Sequence, residues 1–221
     1  MNLQKIYELL LKKIGKQNWW PAETDFEIIV GAILTQQASW KNVEKAIKNL
    51  KENNSLDPKA IYDIKISELQ KLIKPSGFYK IKAQRLKNFV NFLYDRFNGD
   101  LNKLFSLEKD AIRKELLSVN GIGKETADSI ILYSAQKPIF VVDAYTKRIF
   151  NRVGLIKEND YEKIKKIFES NLPKDVELYK EYHALIVELG KNICKVKPKC
   201  NECCLNKWCE YANNTYNIIK K

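Results

Sequence analysis

The 221-residue sequence predicts an all-α fold. Three observations carry that reading. Apolar residues recur at three- and four-residue spacing, period-two runs are scarce, and Gly, Pro and Asn punctuate the chain between the periodic segments. The helical period runs in order through 3–14, 26–37, 40–50, 82–97, 107–118, 125–135, 143–153, 161–171 and 176–191, as with Ile6 and Leu10 in the first segment and Val43, Ile47 and Leu50 in the third. Breaks fall at 53–55, 74–77, 98–100, 120–123 and 172–173, and none is a low-complexity linker long enough to separate independent domains. The one strand-like stretch, 138–142, reads as an extended connector rather than part of a sheet. No internal repeat is evident.

Lys and Arg number 39 against 27 Asp and Glu, giving a formal charge of +12. A polyanion is the partner such a surface fits, with affinity that falls as salt rises because bound counterions are released. The alternative is a merely soluble, Lys-rich surface of the kind found in heat-adapted proteins. Hydrophobic residues make up 45% of the chain, ample for a core. No run of 18 apolar residues occurs, and Met1–Tyr7 lacks the pattern of a signal peptide, so an intracellular, cytoplasmic protein with no membrane partner is expected.

All five cysteines lie in 194–209. Cys194, Cys200, Cys203 and Cys209 form a C-x5-C-x2-C-x5-C array, with Cys204 as a spare neighbour. In a reducing compartment that clustering favours metal ligation over disulfides. Four thiolates so close together suit either a [4Fe-4S] cluster or a tetrahedral zinc ion.

Segments 107–118 and 125–135 are joined by Val119-Asn-Gly121-Ile-Gly123, a turn that reads as too tight for a β-carbon at both glycines. A helix starting near Lys124 or Glu125 would aim amides and a positive dipole end outward, a site for a phosphate oxygen, with Lys124 adding charge. An ordinary corner between two helices is the plainer reading of the same glycines.

Val-x-Gly-Ile-Gly-x-x-Thr-Ala at 119–127, followed by the apolar run from Pro138 to Asp143, resembles the helix-hairpin-helix and Gly/Pro-Asp signature of the endonuclease III superfamily of DNA glycosylases. That superfamily also carries a C-terminal cysteine array; the first interval here is one residue shorter than usual. Asn18-Trp19-Trp20-Pro21, Phe26–Gln36, Lys74–Tyr79 and Gly121–Asp128 are similar to the 3-methyladenine DNA glycosylase III branch and its endonuclease III-related relatives. The likeness covers roughly residues 15–155.

The resemblance implies a two-lobed glycosylase: a helical barrel domain over 24–136 carrying the hairpin, and a second domain of 1–23 with 137–221 carrying the cysteine loop. It implies damaged double-stranded DNA as partner, a monomer, a [4Fe-4S] cluster with zinc as runner-up, and Asp143 as the catalytic carboxylate. Cleaving an N-glycosidic bond builds positive charge on the sugar, which a buried carboxylate can oppose while orienting water; Asp143 also reads as a helix N-cap. The superfamily's lyase members carry a Schiff-base Lys four residues after the first hairpin glycine, where this chain has Glu125. A monofunctional enzyme acting on an alkylated purine such as 3-methyladenine is therefore expected, with uracil or another deaminated or oxidised base as the alternative. Trp19, Trp20, Pro21 and Trp40 match pocket positions, Gln37 matches the residue that enters the duplex in place of the base, and Gln36 is a weaker candidate. Lys147 and Arg148 follow Asp143 on one helix and are expected to reach DNA. His183 lacks ligand spacing and reads as an ordinary helix residue; Lys80, Lys82, Arg85 and Lys87 read as a solvated face. Lys195, Lys197, Lys199 and Lys207 make the cysteine loop a possible backbone clamp. A non-catalytic DNA-binding or redox-sensing protein is the competing reading from another class, against which Asp143 and the tryptophans argue.

Overall fold

The computed structural model describes residues 1–219, which contain helices and no β-strand. α1 (Leu3–Ile14) opens the chain. α2 (Asp25–Leu34), α3 (Trp40–Glu52), α4 (Pro58–Asp63), α5 (Ile66–Leu72), α6 (Tyr79–Phe97), α7 (Leu101–Phe105), α8 (Lys109–Leu117) and α9 (Lys124–Tyr133) follow. An extended connector leads to α10 (Ala144–Val153), α11 (Tyr161–Asn171), α12 (Val176–Asn192) and α13 (Glu210–Ile219). None of the described helices is long and apolar enough to cross a membrane.

Helix starts follow local chemistry. Asn2, Thr24, Asp57, Asp160 and Asp175 each accept, through the side chain, the backbone N–H three residues on, satisfying one orphan donor of the helix they precede. Among the stops, Gly154 at φ +86 ends α10 in the left-handed region.

The chain divides into two compact units, one spanning Trp20–Lys137 and the other combining Met1–Trp19 with the chain from Pro138 onward. In the first, α6 is the central helix and touches α2, α4, α5 and α7, while α2 also packs on α9 and α8 on α9. Its core runs through Ile29, Ile33, Leu86, Phe89, Leu93 and Ile130, all at 0% exposure. The nearly unbroken apolar sequence of α2 matches its burial on most sides.

In the second unit, α12 packs against α1 and α10. Its core is aromatic: Phe140 stacks on Phe168 with centroids 4.0 Å apart, Phe150 meets Phe168 edge-on, and the buried Tyr182 donates its hydroxyl to Leu3 O at 2.8 Å. Phe140 belongs to the connector, so ring packing anchors the backbone that delivers Asp143 to the start of α10. The Phe140 amide donates to Glu169 Oε1 at 2.9 Å, which satisfies backbone that no sheet pairs.

Candidate functional site

Asp143 both caps α10 and keeps one oxygen out of the cap. Its Oδ1 accepts from the Thr146 amide at 2.7 Å and from the Thr146 hydroxyl at 2.8 Å, while that hydroxyl takes the Asp143 amide at 3.4 Å, closing a reciprocal box. Oδ2 faces His183 Nε2 at 3.7 Å, a separation longer than a hydrogen bond. Asp143 is 8% exposed and His183 4%. Burial pushes the Asp143 carboxyl upward, and His183 together with the Thr146 amide and hydroxyl outweighs burial, holding it below its ordinary range. Such a group remains a carboxylate while shielded from water, as opposing a nearby developing cation requires.

Trp19 lies in the same unit, its ring 5.8 Å from that of His183. His183 is a buried helix residue, as one of its plain readings has it, and α12 brings it, 40 positions downstream, onto the carboxylate. No sequence signal marks it, because the pairing is made only by the packing of α10 on α12.

In the other unit, Trp20 meets Trp40 edge-on at 5.3 Å and Tyr133 at 5.4 Å. Gly31 makes room for this cluster, since a β-carbon there would stand 2.9 Å from Trp20 Cζ2. The lone glycine within an otherwise apolar helical run was the available clue to that close approach. Pro21 is exposed.

The hairpin between α8 and α9 separates its two glycines. Gly121 sits at φ +97, and a β-carbon on it would meet Arg85 Cγ at 2.3 Å, so both the backbone and the approach of Arg85 require glycine. Gly123 is corrected: its φ is −91 and a β-carbon would enter open space, so no tightness of fold demands glycine there. Gly123 caps α9 without a side chain, and Lys124 and Glu125 stand exposed at that helix start. The hairpin carbonyls are held from behind, Asn120 O by Asn88 Nδ2 at 3.0 Å and Gly121 O by Gln36 Nε2 at 3.1 Å. Gln36 also donates to Thr126 Oγ1 at 2.9 Å and accepts from Arg85 Nη1. It is thus a strut, whereas its neighbour Gln37 is exposed at φ +54, an uncommon conformation for a non-glycine residue. Phe78, which lies in the Lys74–Tyr79 segment but was given no role from sequence, combines φ +45 with 62% exposure.

Two further expectations are corrected. The face carrying Lys82 and Arg85 is not solvated: Lys82 is 1% exposed, and Arg85 lies along Gly121 and bonds Gln36. Arg148 does not reach outward; its guanidinium donates to Cys194 O and Gly190 O, each at 2.9 Å, and lies over the Tyr145 ring. Lys147 donates to Asn159 O at 3.0 Å.

Cys194, Cys200, Cys203 and Cys209 line one cavity with Arg152, Ile193 and Ala212, and Cys204 is not among its walls. No three of the described His, Cys, Asp and Glu side chains are already drawn together as a metal-binding group; the four cysteines surround a space instead. Arg152 pins the loop, donating to Lys195 O at 2.5 Å and Val196 O at 2.9 Å, with Nη1 3.4 Å from Cys194 Sγ. Burial pushes the Cys203 thiol up to about 12 and raises Cys200 as well. A bound metal centre supplies the positive charge that would hold such thiols as thiolates. Four soft donors around one cavity, braced by two arginines of α10, fit such a centre.

Residues 30–174 match the family described as HhH-GPD superfamily base excision DNA repair protein. A candidate DNA repair glycosylase of Methanocaldococcus jannaschii is 53% identical over 94% of this chain and 95% of its own length. Endonuclease III of Thermotoga maritima is 34% identical over 86% of this chain and 84% of its own. Among solved structures, the H. pylori 3-methyladenine DNA glycosylase bound to 1,N6-ethenoadenine has a TM-score of 0.75 at 30% identity, covering 86% of this chain and 98% of that one. An endonuclease III–DNA complex has a TM-score of 0.83 at 22% identity over 97% of each chain, a likeness of fold.

Proposed function

This chain belongs to the HhH-GPD superfamily of base excision DNA repair glycosylases, and within it we propose a monofunctional enzyme that hydrolyses the N-glycosidic bond of an alkylated purine such as 3-methyladenine. The observation that carries the chemistry is the buried Asp143 carboxylate, with one oxygen committed to the helix cap and the other facing His183. Asp143 opposes the positive charge that grows on the sugar and orients the attacking water, while Thr146 and His183 fix the carboxylate. Water is the nucleophile, since Glu125 replaces the amine that lyase chemistry would use at that hairpin position.

Trp19, Trp20, Pro21 and Trp40 are the proposed walls for the extruded base. Flat π faces attract every base, and a cationic alkylpurine more than a neutral one. The 30% identity to a 3-methyladenine glycosylase supports this substrate class. Uracil or another deaminated or oxidised base is the second reading, favoured by the 34% identity to an endonuclease III. Gln37 enters the space the base leaves, Gly121, Gly123 and Lys124 hold phosphate, and the protein acts as a monomer. Cys194, Cys200, Cys203 and Cys209 hold a [4Fe-4S] cluster, whose part is to fold and staple the loop; zinc is the alternative.

A panel of duplexes, each with one lesion, incubated with enzyme and with or without later alkali, tests the reading. Alkylpurine release with strand breaks only after alkali is expected. Breaks without alkali would refute the monofunctional assignment, and release of uracil or an oxidised pyrimidine alone would refute the substrate class.

A further inference from the structure

α6 carries a buried cation that the chemistry above does not use. Lys82 is 1% exposed, and its Nζ donates to Leu34 O and to Ser76 O, each at 2.7 Å. Leu34 is the last residue of α2, so one bond satisfies an orphan carbonyl at the negative end of that helix. Ser76 closes a 3₁₀ turn over Lys74–Ser76. Each carbonyl lies two or three residues ahead of an exposed non-glycine residue in the left-handed region, Gln37 at φ +54 and Phe78 at φ +45.

One turn along α6, Arg85 bonds Gln36, which in turn holds Gly121 O and Thr126 Oγ1. One face of α6 therefore ties together the turn after α2, the 3₁₀ turn and the hairpin. Burying an ammonium is costly, and burial with the neighbouring Arg85 charge lowers its pKa to about 8. An apolar side chain of similar length would fill the space without that cost but would leave two buried carbonyls without their donor.

We propose that Lys82 is a positioning residue for base extrusion: by bonding Leu34 O and Ser76 O from one nitrogen it fixes the spacing of the two exposed turns bearing Gln37 and Phe78. This rests on the proposed entry of Gln37 into the duplex, and extends it to the neighbouring Phe78 turn. Lys82 itself touches no DNA. It acts through the backbone it holds, and the left-handed conformations beyond each carbonyl persist because the surrounding bonds over-determine them.

The probe is a duplex carrying a tetrahydrofuran abasic analogue flanked by 2-aminopurine, whose fluorescence rises as neighbouring bases unstack. Wild-type protein is expected to bind undamaged duplex in a salt-dependent manner and to raise the fluorescence of the probe. Lys82→Met should bind undamaged duplex within threefold of wild type while losing at least tenfold in affinity for the abasic probe and most of the fluorescence rise. Lys82→Gln, too short to reach both carbonyls but still polar, carries the same test where Lys82→Met does not fold; thermal unfolding decides which variants are read. A folded variant that unstacks the probe like wild type overturns the proposal, as does equal loss of affinity for undamaged and abasic duplex. Wild-type protein that neither binds duplex nor unstacks the probe would instead overturn the DNA-facing reading beneath it.

Discussion

Replacing Asp143 with Asn separates its observed role as a helix cap from its proposed catalytic one. The amide oxygen can still accept from the Thr146 amide and hydroxyl, now at 2.7 and 2.8 Å, and Asn is about as good an N-cap as Asp, so α10 should start where it does. What disappears is a full negative charge on a group that is 8% exposed. A unit charge about 4 Å from the developing sugar cation, at an effective dielectric near 20, contributes about 4 kcal/mol. Mutations that remove one such electrostatic group cost about 100- to 1000-fold in rate, or roughly 3 to 4 kcal/mol, in agreement. Single-turnover base release with enzyme in excess should fall by that factor, and anisotropy should show affinity for abasic duplex within threefold of wild type. The acid limb of stability provides a second readout. The Asp143 carboxyl is held below its usual value, so its contribution is present above the unfolded value near 4 and is lost as pH falls through the folded one; Asp143→Asn should be less sensitive to pH there. Base release within tenfold of wild type would leave Asp143 as a helix cap only, and the proposed mechanism would be abandoned.

Substitutions at the hairpin and the cysteine loop test the remaining site residues. Gly121→Ala should cost about 1 to 3 kcal/mol of unfolding free energy, from the positive φ and the clash with Arg85, whereas Gly123→Val should cost less than about 1 kcal/mol and weaken intact and damaged duplex alike; urea titration and anisotropy would show both, and a selective loss on damaged DNA would refute the phosphate role. Anaerobically purified protein should be brown with about four irons per chain, and Cys200→Ser should lower folded yield before altering chemistry; one stoichiometric zinc without iron would rule the cluster out. Lys124→Gln should reduce the slope of log affinity against log salt by about 0.9, while Arg152→Lys should leave the slope unchanged and lower thermal stability and iron content.

Most of the longer helices were legible because they bury one stripe, and a period of 3.6 shows over ten or more residues; α2 and α9 are buried on most sides, while the ten-residue α13 was not read. α4, α5 and α7 escaped notice because five to seven residues carry too little period to register. Asp143 was readable as a cap because caps are local chemistry, and as the catalytic carboxylate through the family resemblance. His183 was not, since its meeting with Asp143 depends on how α12 lies against α10. Lys82 was misread for a related reason: helical periodicity says which residues share a face, and charge suggested that this face was wet, but its two carbonyl partners come from segments 6 and 48 positions away. Gly121 and Gly123 look alike in sequence because the sign of φ is set by the turn as a whole.

A division between the two kinds of cation runs through the whole chain and bears on how a charge of +12 is used. Every arginine has an internal partner: Arg85 bonds Gln36, Arg96 bonds Glu115, Arg113 bonds the buried Asp128, and Arg148 and Arg152 hold the carbonyls of the cysteine loop. A planar guanidinium with donors in a fixed fork suits such sites, where two acceptors must be met at set angles. The exposed, mobile charge is carried by lysine: of the lysines named for DNA, Lys124, Lys195, Lys197, Lys199 and Lys207 are exposed, while Lys147 is half-buried and bonds Asn159 O. A flexible, hydrated ammonium can follow phosphates without fixing their register, which suits an enzyme that must scan intact duplex before it finds a lesion. Under the proposed function, specificity falls to groups that are rigid and few: the Asp143 carboxylate pinned by Thr146, the Trp20 ring seated over Gly31, and the turns held by Lys82 and Gln36.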